Sequence, residues 1–339
     1  MLFLRPSRED DLSGLMRLAS MTGAGFTSIS PDKKRLRKLL AHSAASFADT
    51  LEAPEDAHYL FALEDSDSGH MAGVCGILAA TGRVRPFYSY RVGLIVNTSP
   101  QLRISNAIQT LYLCNDYTGC AEIGSLFVDP AYRGQRAGRL LSRSRFLFMA
   151  EFRARFPSKV ISEMRGVSDT QGYSPFWENL GKKFLEMPFT RADYLSGRDD
   201  NSFIAELMPR HPIYVPLLSP EAQAAIAQVH RDTVAARHIL EGEGFRYQNY
   251  VDIFDAGPTL ETRIDDIRTL ARSRRLTARV SAQVANAKPW LLANTSCAGY
   301  RCLRAEAAVD QATGSVRLAA PAAKWLQVAD GDPVRASAA

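Results

Sequence analysis

Residues 121–156, AEIGSLFVDPAYRGQRAGRLLSRSRFLFMAEFRARF, constrain the fold more than any other stretch. Ile123, Leu126, Phe127 and Val128 form a short apolar run that Asp129-Pro130 closes. Pro130 has no N–H to give to a sheet ladder, so a strand ends there. A glycine-rich turn follows: Arg133, Gly134, Gln135, Arg136, Ala137 and Gly138. Leu140, Leu141, Leu147, Phe148 and Phe152 then recur at helical spacing. Strand, turn and helix together can cradle a pyrophosphate. The turn exposes backbone N–H groups, and the helix N-terminus adds unpaired N–H groups and the positive end of its dipole. Arg133, Arg136 and Arg139 add charge. An ordinary strand-to-helix turn with a solvated basic face is written in the same letters, and the residues alone leave both readings open.

A chain of 339 residues exceeds the usual single core, so two domains, or one with a large extension, are expected. With 46% hydrophobic and 23% charged residues the composition is that of a soluble globular protein. A net charge of +5 suits an anionic substrate but is too weak and scattered to argue for nucleic acid. Cys75, Cys114, Cys120, Cys297 and Cys302 are odd in number, and no histidine pair lies at zinc-like spacing beside Cys297 and Cys302. Free thiols in a reducing compartment and no metal are the expectation. The N-terminus MLFLRPSREDD turns charged too early for a signal peptide, and no apolar run spans a bilayer. A cytoplasmic protein follows.

In chain order, Leu2–Arg5 reads as a strand stopped at Pro6, and Asp10–Ser20 as an amphipathic helix. TGAGFTS (22–28) is a turn that either caps that helix or faces a ligand. Ser30-Pro31-Asp32 opens a helix to about Phe47. Strands are expected at Tyr59–Leu63, Met71–Ala80, 87–98 and 109–117, the last leading into the central strand. After the central helix, Lys159–Met164 reads as a buried strand, and Ser174-Pro175 begins a helix that Gly181 closes. Ala236–Phe245 repeats the phrase of helix, glycine, aromatic; either copy could supply the last helix and strand of the core. Between them Arg191–Tyr214 is loop-rich, and Ser219-Pro220-Glu221 opens a helix to about Val229. Residues 260–275 read as a charged helix, and the alanine-rich remainder as a small β-barrel closed by GDPVR (331–335).

The central stretch resembles the acyl-coenzyme-A-binding motif of the GNAT superfamily of N-acyltransferases, with Arg133 and Gly138 at its first and last positions and Arg136 in place of its middle glycine. Longer blocks narrow the resemblance. TGAGFTS (22–28), RVGLIVN (91–97), SLFVDPAYR (125–133), EMRGVSD (163–169), SPFWENLGKKF (174–184), AELMPRHPIY (205–214), QVHRDTVAAR (228–237) and EGFRYQNYVDIFDAGPTLE (243–261) are similar to the arginine N-succinyltransferase family. The similarity extends over roughly residues 1–270. It implies an α/β (α+β) fold with a GNAT core over residues 1–258 and an insertion at about 185–230; the residue pattern adds a helical linker at 259–275 and a small β-rich, barrel-like part at 276–339. It also implies transfer of succinyl from succinyl-CoA to the α-amine of L-arginine, with no bound cofactor. Ornithine or another amine, a paralogous subunit or homo-oligomer, and a non-catalytic coenzyme-A-binding subunit are the alternatives carried beside it.

Direct acyl transfer needs a proton taken from the amine, a stabilised oxyanion and a protonated thiolate. Histidine suits the proton steps. By spacing alone His230, in QVHRDT, is a helix-terminal cap; the resemblance implies that it is the proton donor. His211 is second, while His42, His58, His70 and His238 read as surface or helix-face residues. The resemblance implies succinyl-CoA contact at Leu126, through its main chain, and extends the coenzyme site over Val128, Arg133, Gly134, Gln135, Arg136, Ala137 and Gly138. Arg91, Arg165 and Arg210 are candidates for the succinyl carboxylate, and Glu122, Glu163, Asp169 and Asp252 for the guanidinium. The guanidinium stays protonated, so chemistry favours the α-nitrogen. Cys120 and Cys75 raise a ping-pong alternative, with no histidine near Cys120 in sequence to activate it.

Overall fold

The structure is a computed structural model and describes residues 1–23, 26–48, 56–196 and 202–339. The chain starts with β1 (Leu2–Pro6), then α1 (Leu12–Ala19) and α2 (Lys33–Ser46). Ala24 and Gly25, at the centre of the 22–28 turn, lie outside the described residues. Asp32 caps α2 by accepting from the backbone N–H groups of Lys34 and Arg35, as its Ser-Pro-Asp opening predicts. β2 (His58–Asp65) and β3 (Met71–Leu78) follow as an antiparallel pair. Leu15, Leu18, Leu36 and Leu40 of the two helices bury against Leu60, Ala62 and Val74.

The order of strands predicts a meander running into the central strand, and the sheet is wired differently. β4 (Ser89–Ser99) and β5 (Ile104–Cys114) form a long hairpin, and β3 pairs directly with the central strand β6 (Ala121–Val128). A Cβ at Gly73 would stand 2.7 Å from the Phe127 carbonyl oxygen, so β3 and β6 approach at a distance that glycine permits. From β6 the chain passes through α3 (Ala137–Glu151) to β7 (Lys159–Glu163), which is parallel to β6. α3 is buried nearly all round, Ser142, Ser144 and Arg145 included, because it is covered on two sides. Leu141, Leu147 and Phe148 meet the sheet, and Tyr300 donates to the Ser144 carbonyl at 2.9 Å from the C-terminal part.

α4 (Pro175–Asn179) is capped by Ser174, but Gly181 does not close it. Gly181 starts α5 (Gly181–Leu185), and a Cβ there would lie 2.3 Å from the Trp177 ring, so packing explains this glycine. The stretch expected to be loop-rich holds α6 (Phe189–Ser196), α7 (Ser202–Leu207) and the short β8 (Ile213–Tyr214). α8 (Pro220–Ala225) ends earlier than its sequence predicts. Phe176, Trp177 and Phe189 from this segment share a core with Tyr90, Leu111, Val251 and Phe254. α9 (Val234–Glu243) and β9 (Arg246–Val251) carry the second helix–glycine–aromatic phrase, and Leu240 and Phe245 join the core of α3. The second copy, not the first, therefore packs with the central helix. β4 reaches β9 through Tyr90↔Val251.

The expectation of a charged helix over 260–275, and of a helical linker there, is corrected. Residues 258–263 form β10 (Pro258–Arg263), paired with β7 on one side and β9 on the other. Leu260, Ile264, Ile267 and Leu270 do have helical spacing, but two flanking strands claim the backbone hydrogen bonds first. A 3-10 turn at Ile264–Asp266 and the short α10 (Arg268–Arg272) are the helical parts of this stretch. Beyond it lie β11 (Arg274–Ser281), β12 (Lys288–Asn294), β13 (Cys302–Asp310), β14 (Ser315–Ala319), α11 (Ala320–Leu326) and β15 (Pro333–Ala338). Their order is β12-β15-β11-β14-β13, and β13 pairs back onto β12, which closes a five-stranded barrel. The predicted GDPVR piece enters β15, which pairs with β11 and β12. β1 pairs with β13 through Phe3↔Leu303, so sheet and barrel are continuous.

Candidate active site

β6 is not a regular strand. Ser125 has φ +53, in the left-handed region, and the pairing with β3 skips between Gly76↔Gly124 and Val74↔Phe127. This is a β-bulge. Before it Ala121 and Ile123 pack on the α3 side; after it Leu126 and Val128 do, and Phe127 turns to the α1–α2 side. One extra residue thus inverts the faces of the strand. Arg145 of α3, itself buried, donates to the carbonyl of Gly124 at 3.2 Å and of Gly76 at 3.4 Å. On its other edge β6 pairs with β7 only at Ala121↔Val160 and Glu122↔Ile161. The Ser162 hydroxyl donates to the Ile123 carbonyl at 3.1 Å, and beyond this the two strands are unpaired. The main chain around Leu126 is left on an open edge that an extended ligand could join as a strand would.

The turn after β6 sits at the same end. Gly134 and Arg136 have φ of +82 and +62. The Leu140 N–H donates to the Arg136 carbonyl at 3.0 Å, so α3 starts there and the N–H groups of its first turn have no intrahelical acceptor. Arg133, Gly134, Gln135 and Arg136 are exposed, Ala137 is buried and Gly138 half-buried. The Arg133 guanidinium lies over the Phe127 ring at 6.0 Å. Arg136 departs from the motif in residue type but adopts the conformation that glycine takes freely, at a cost of about 1–2 kcal/mol. Arg136→Gly should therefore raise unfolding stability by roughly 1 kcal/mol, read by urea denaturation.

His230 precedes α9. Its N–H donates to the Arg165 carbonyl at 2.8 Å, which ties it to the chain leaving the C-terminal end of β7. β6 and β7 are parallel, so Leu126, the glycine turn and His230 gather at one end of the sheet. Nδ1 of His230 accepts from the Asp232 N–H at 3.2 Å, and a hydrogen bond with the Ser168 backbone also acts on the ring. Burial, then the Arg165 charge, hold the imidazole below its ordinary pKa of 6.5, against an opposing pull from Asp232. The ring is predominantly neutral at pH 7.

The other candidates divide. Arg165 is beside His230; it donates to Ser168 Oγ at 3.3 Å, and its Nε has no partner. Arg210 and His211 are exposed, and Arg91 stacks over Tyr112 at 5.8 Å. Asp169 caps its own loop by accepting from Gln171 and Tyr173. Glu122, Glu163 and Asp252 come together, each with a raised pKa, burial being the first cause. Glu122 is pushed up to about 7. Burial also raises both thiols, Cys75 to about 12, so neither Cys75 nor Cys120 is a ready thiolate. Among the described residues no cluster of His, Cys, Asp and Glu could hold a metal ion.

Sequence reading missed Ser125, Arg145 and His58. His58 is not a surface residue: a Cβ on Gly76 would lie 3.4 Å from both its Nε2 and Ser125 Oγ, so it stands against the bulge. Burial, with His42, Arg85 and Arg35 nearby, lowers its pKa from 6.5 to about 4. The unfolded chain binds this proton near pH 6.5 and the folded chain only near 4, so stability is full above 6.5 and falls as pH drops. The loss should be roughly 2 kcal/mol, allowing for the ring's partial solvent contact. Urea unfolding of wild type and His58→Asn between these pH limits reads it: the variant should show the shallower slope.

An anion cradle at the end of a strand, beside an open main-chain edge and a histidine, suits a long phosphorylated thioester and an attacking nucleophile. The class this defines is an acyltransferase. The comparisons with known proteins agree. Residues 2–269 match the family model described as arginine N-succinyltransferase beta subunit, and residues 272–338 match the model of its C-terminal domain. An arginine N-succinyltransferase of Escherichia coli O139:H28 is 46% identical over 342 residues, covering 99% of this chain and 97% of the relative. One of Enterobacter sp. (strain 638) is 52% identical over 277 residues, 82% of this chain and 80% of the relative. The solved structure of arginine/ornithine succinyltransferase subunit AI from Pseudomonas aeruginosa superposes with a TM-score of 0.91 at 37% identity, covering 100% of this chain and 98% of that one. The chain belongs to the arginine N-succinyltransferase family.

Proposed function

We propose that this enzyme moves the succinyl group of succinyl-CoA directly to the α-amine of L-arginine, with His230 as general acid/base. The observation that carries the reading is the bulged β6, splayed from β7 with His230 at the open end. That geometry is also what supports a GNAT-type core. The pyrophosphate would lie on the turn from Arg133 to Gly138, and the pantetheine arm along the edge from Leu126 to Val128. In the reaction the amine nitrogen forms a bond to the thioester carbon, the C–S bond breaks, and one proton passes from nitrogen to sulfur. Main-chain N–H groups at the bulge would meet the developing oxyanion. Nε2 of His230 would exchange the proton with the amine and the leaving thiolate. The raised thiol pKa values support direct attack over an acyl-cysteine route.

A division into a transfer part over residues 1–258 and a barrel part from 276 belongs to the same reading, as does a cytoplasmic location, which the five free cysteines support. Among the described residues no helix is long and apolar enough to cross a membrane. Assembly with a second copy or a related subunit remains compatible with it. Thiol release tests the function: the purified chain receives succinyl-CoA or acetyl-CoA with arginine, ornithine or lysine. Release is expected with succinyl-CoA and arginine. Ornithine is the comparison that matters, since the Pseudomonas relative is described as acting on both. No release with any pair would overturn the reading of this chain as active by itself.

A further inference from the structure

We propose that Glu163 binds the guanidinium end of the acceptor, beside Glu122 and Thr259. The inference rests on the reading of arginine as acceptor and adds the residue that recognises it. β7 and β10 pair with Thr259 directly opposite Glu163, so both side chains stand on one face of the sheet. Glu122 lies opposite Ile161, two residues before Glu163 on β7, and so shares that face. It is the face away from α3, whose core takes Val160 and Leu260 instead.

The polar atoms there are unmatched. Glu163 Oε1 is shut off from solvent and has no hydrogen-bond partner among the described residues. Among the described residues Thr259 Oγ1 is equally unpartnered, in a residue that is 0% exposed. Buried polar groups without partners are rare in folded proteins, and two paired directly across strands mark a place for a ligand with many donors. The strongest charges acting on Glu163 are all negative: Asp252, Glu122, Asp255 and Asp193. Asp255 and Asp252 already serve the fold. Asp255 accepts from the N–H groups of Gly166 and Gly257, and Asp252 from those of Phe254 and Asp255. Glu163 is left with a free acceptor and a negative surround. A guanidinium supplies donors only, in a plane, and carries the positive charge that this surround lacks. Arg165, whose Nε is also unpartnered, lies toward Asp255 and His230 and fits a carboxylate better than a cation.

Calorimetric titration of the full chain, with coenzyme A present, tests this. The probes are L-arginine and L-citrulline, which has nearly the same shape with a neutral ureido group. Arginine should bind wild type at least ~50-fold more tightly. Glu163→Gln should lose at least ~20-fold for arginine and leave citrulline nearly unchanged. Equal binding of the two probes by wild type, or unaltered arginine affinity in the variant, would overturn the inference. Thr259→Val, which keeps the volume and removes the orphan hydroxyl, should weaken arginine about fivefold and leave citrulline alone. If Glu163→Gln does not fold, unaltered arginine affinity in Thr259→Val overturns the inference in its place. Binding is separable from transfer: selective arginine binding without thiol release would sink the proposed reaction and keep the pocket. Turnover of arginine with its KM unchanged in Glu163→Gln would sink the pocket alone.

Discussion

His230→Ala should lower turnover by on the order of 10²–10⁴ while leaving the affinity for succinyl-CoA nearly intact. The imidazole is held by its neighbours for one task. Its N–H is fixed to the Arg165 carbonyl at 2.8 Å, and Nδ1 is occupied by the Asp232 N–H, so in the proposed reaction the proton would pass through Nε2. The alternative account of this histidine is a local one: it caps the short turn Arg231–Thr233. The two accounts separate with His230→Asn. Asparagine can accept the Asp232 N–H and should restore most of the roughly 1 kcal/mol that the cap contributes. It cannot exchange a proton, so turnover should stay as low as in the alanine variant. Steady-state rates, coenzyme A titration and urea unfolding on the three proteins read all of this. Turnover recovering with the cap would assign His230 to structure only.

Gly257→Ala should destabilise the fold by at least about 3 kcal/mol, the largest effect expected of any single methyl group here. A Cβ at 257 would stand 1.9 Å from the Met164 carbonyl oxygen and 2.6 Å from the Gly166 nitrogen. Both obstacles are backbone, so no rotamer change relieves them. The region is also crossed by hydrogen bonds that fix its spacing: Gly257 N–H to Asp255 at 2.9 Å, Gly166 N–H to Asp255 at 2.7 Å, and Asp252 N–H to the Gly257 carbonyl at 2.8 Å. Pushing 164–166 aside would carry the Arg165 carbonyl with it, and with that the anchor of His230. Activity should therefore fall faster than the folded fraction when both are followed through a urea titration. An alanine variant as stable as wild type would show that the two strands have room to part.

What was legible in the sequence was local. The run from Ile123 to Val128, the proline stop, the glycine turn and the apolar spacing of α3 each act within a few residues, and the structure has them where the sequence puts them. The cap at Asp32 and the closing strand after Asp332 are of the same kind. What failed depended on distant partners. Leu260, Ile264, Ile267 and Leu270 advertise a helix, and only the arrival of β7 and β9 on both sides makes Pro258–Arg263 a strand. The pairing of β3 with β6 turns on one close approach at Gly73.

The site divides along the same line. Residue types in the cradle could be read directly, and so could the carboxylates from which Glu163 is now singled out. The bulge could not, because serine carries no signal for a left-handed φ, and without the bulge there is no reason to look at Arg145 or His58. The apparent flaw in the motif, Arg136, is resolved by conformation: its φ of +62 shows that the backbone a glycine would provide is kept. Thr259 gains meaning only when its unpartnered hydroxyl is seen opposite a buried carboxylate.

The central claim is a transfer of succinyl to one particular nitrogen. Tandem mass spectrometry of the product formed by the purified chain from succinyl-CoA and L-arginine tests it most directly. A single succinylated arginine is expected, whose fragments place the new amide on the α-nitrogen and leave the guanidinium unmodified. A succinyl group on the guanidinium, or no succinylated arginine at all, would contradict it.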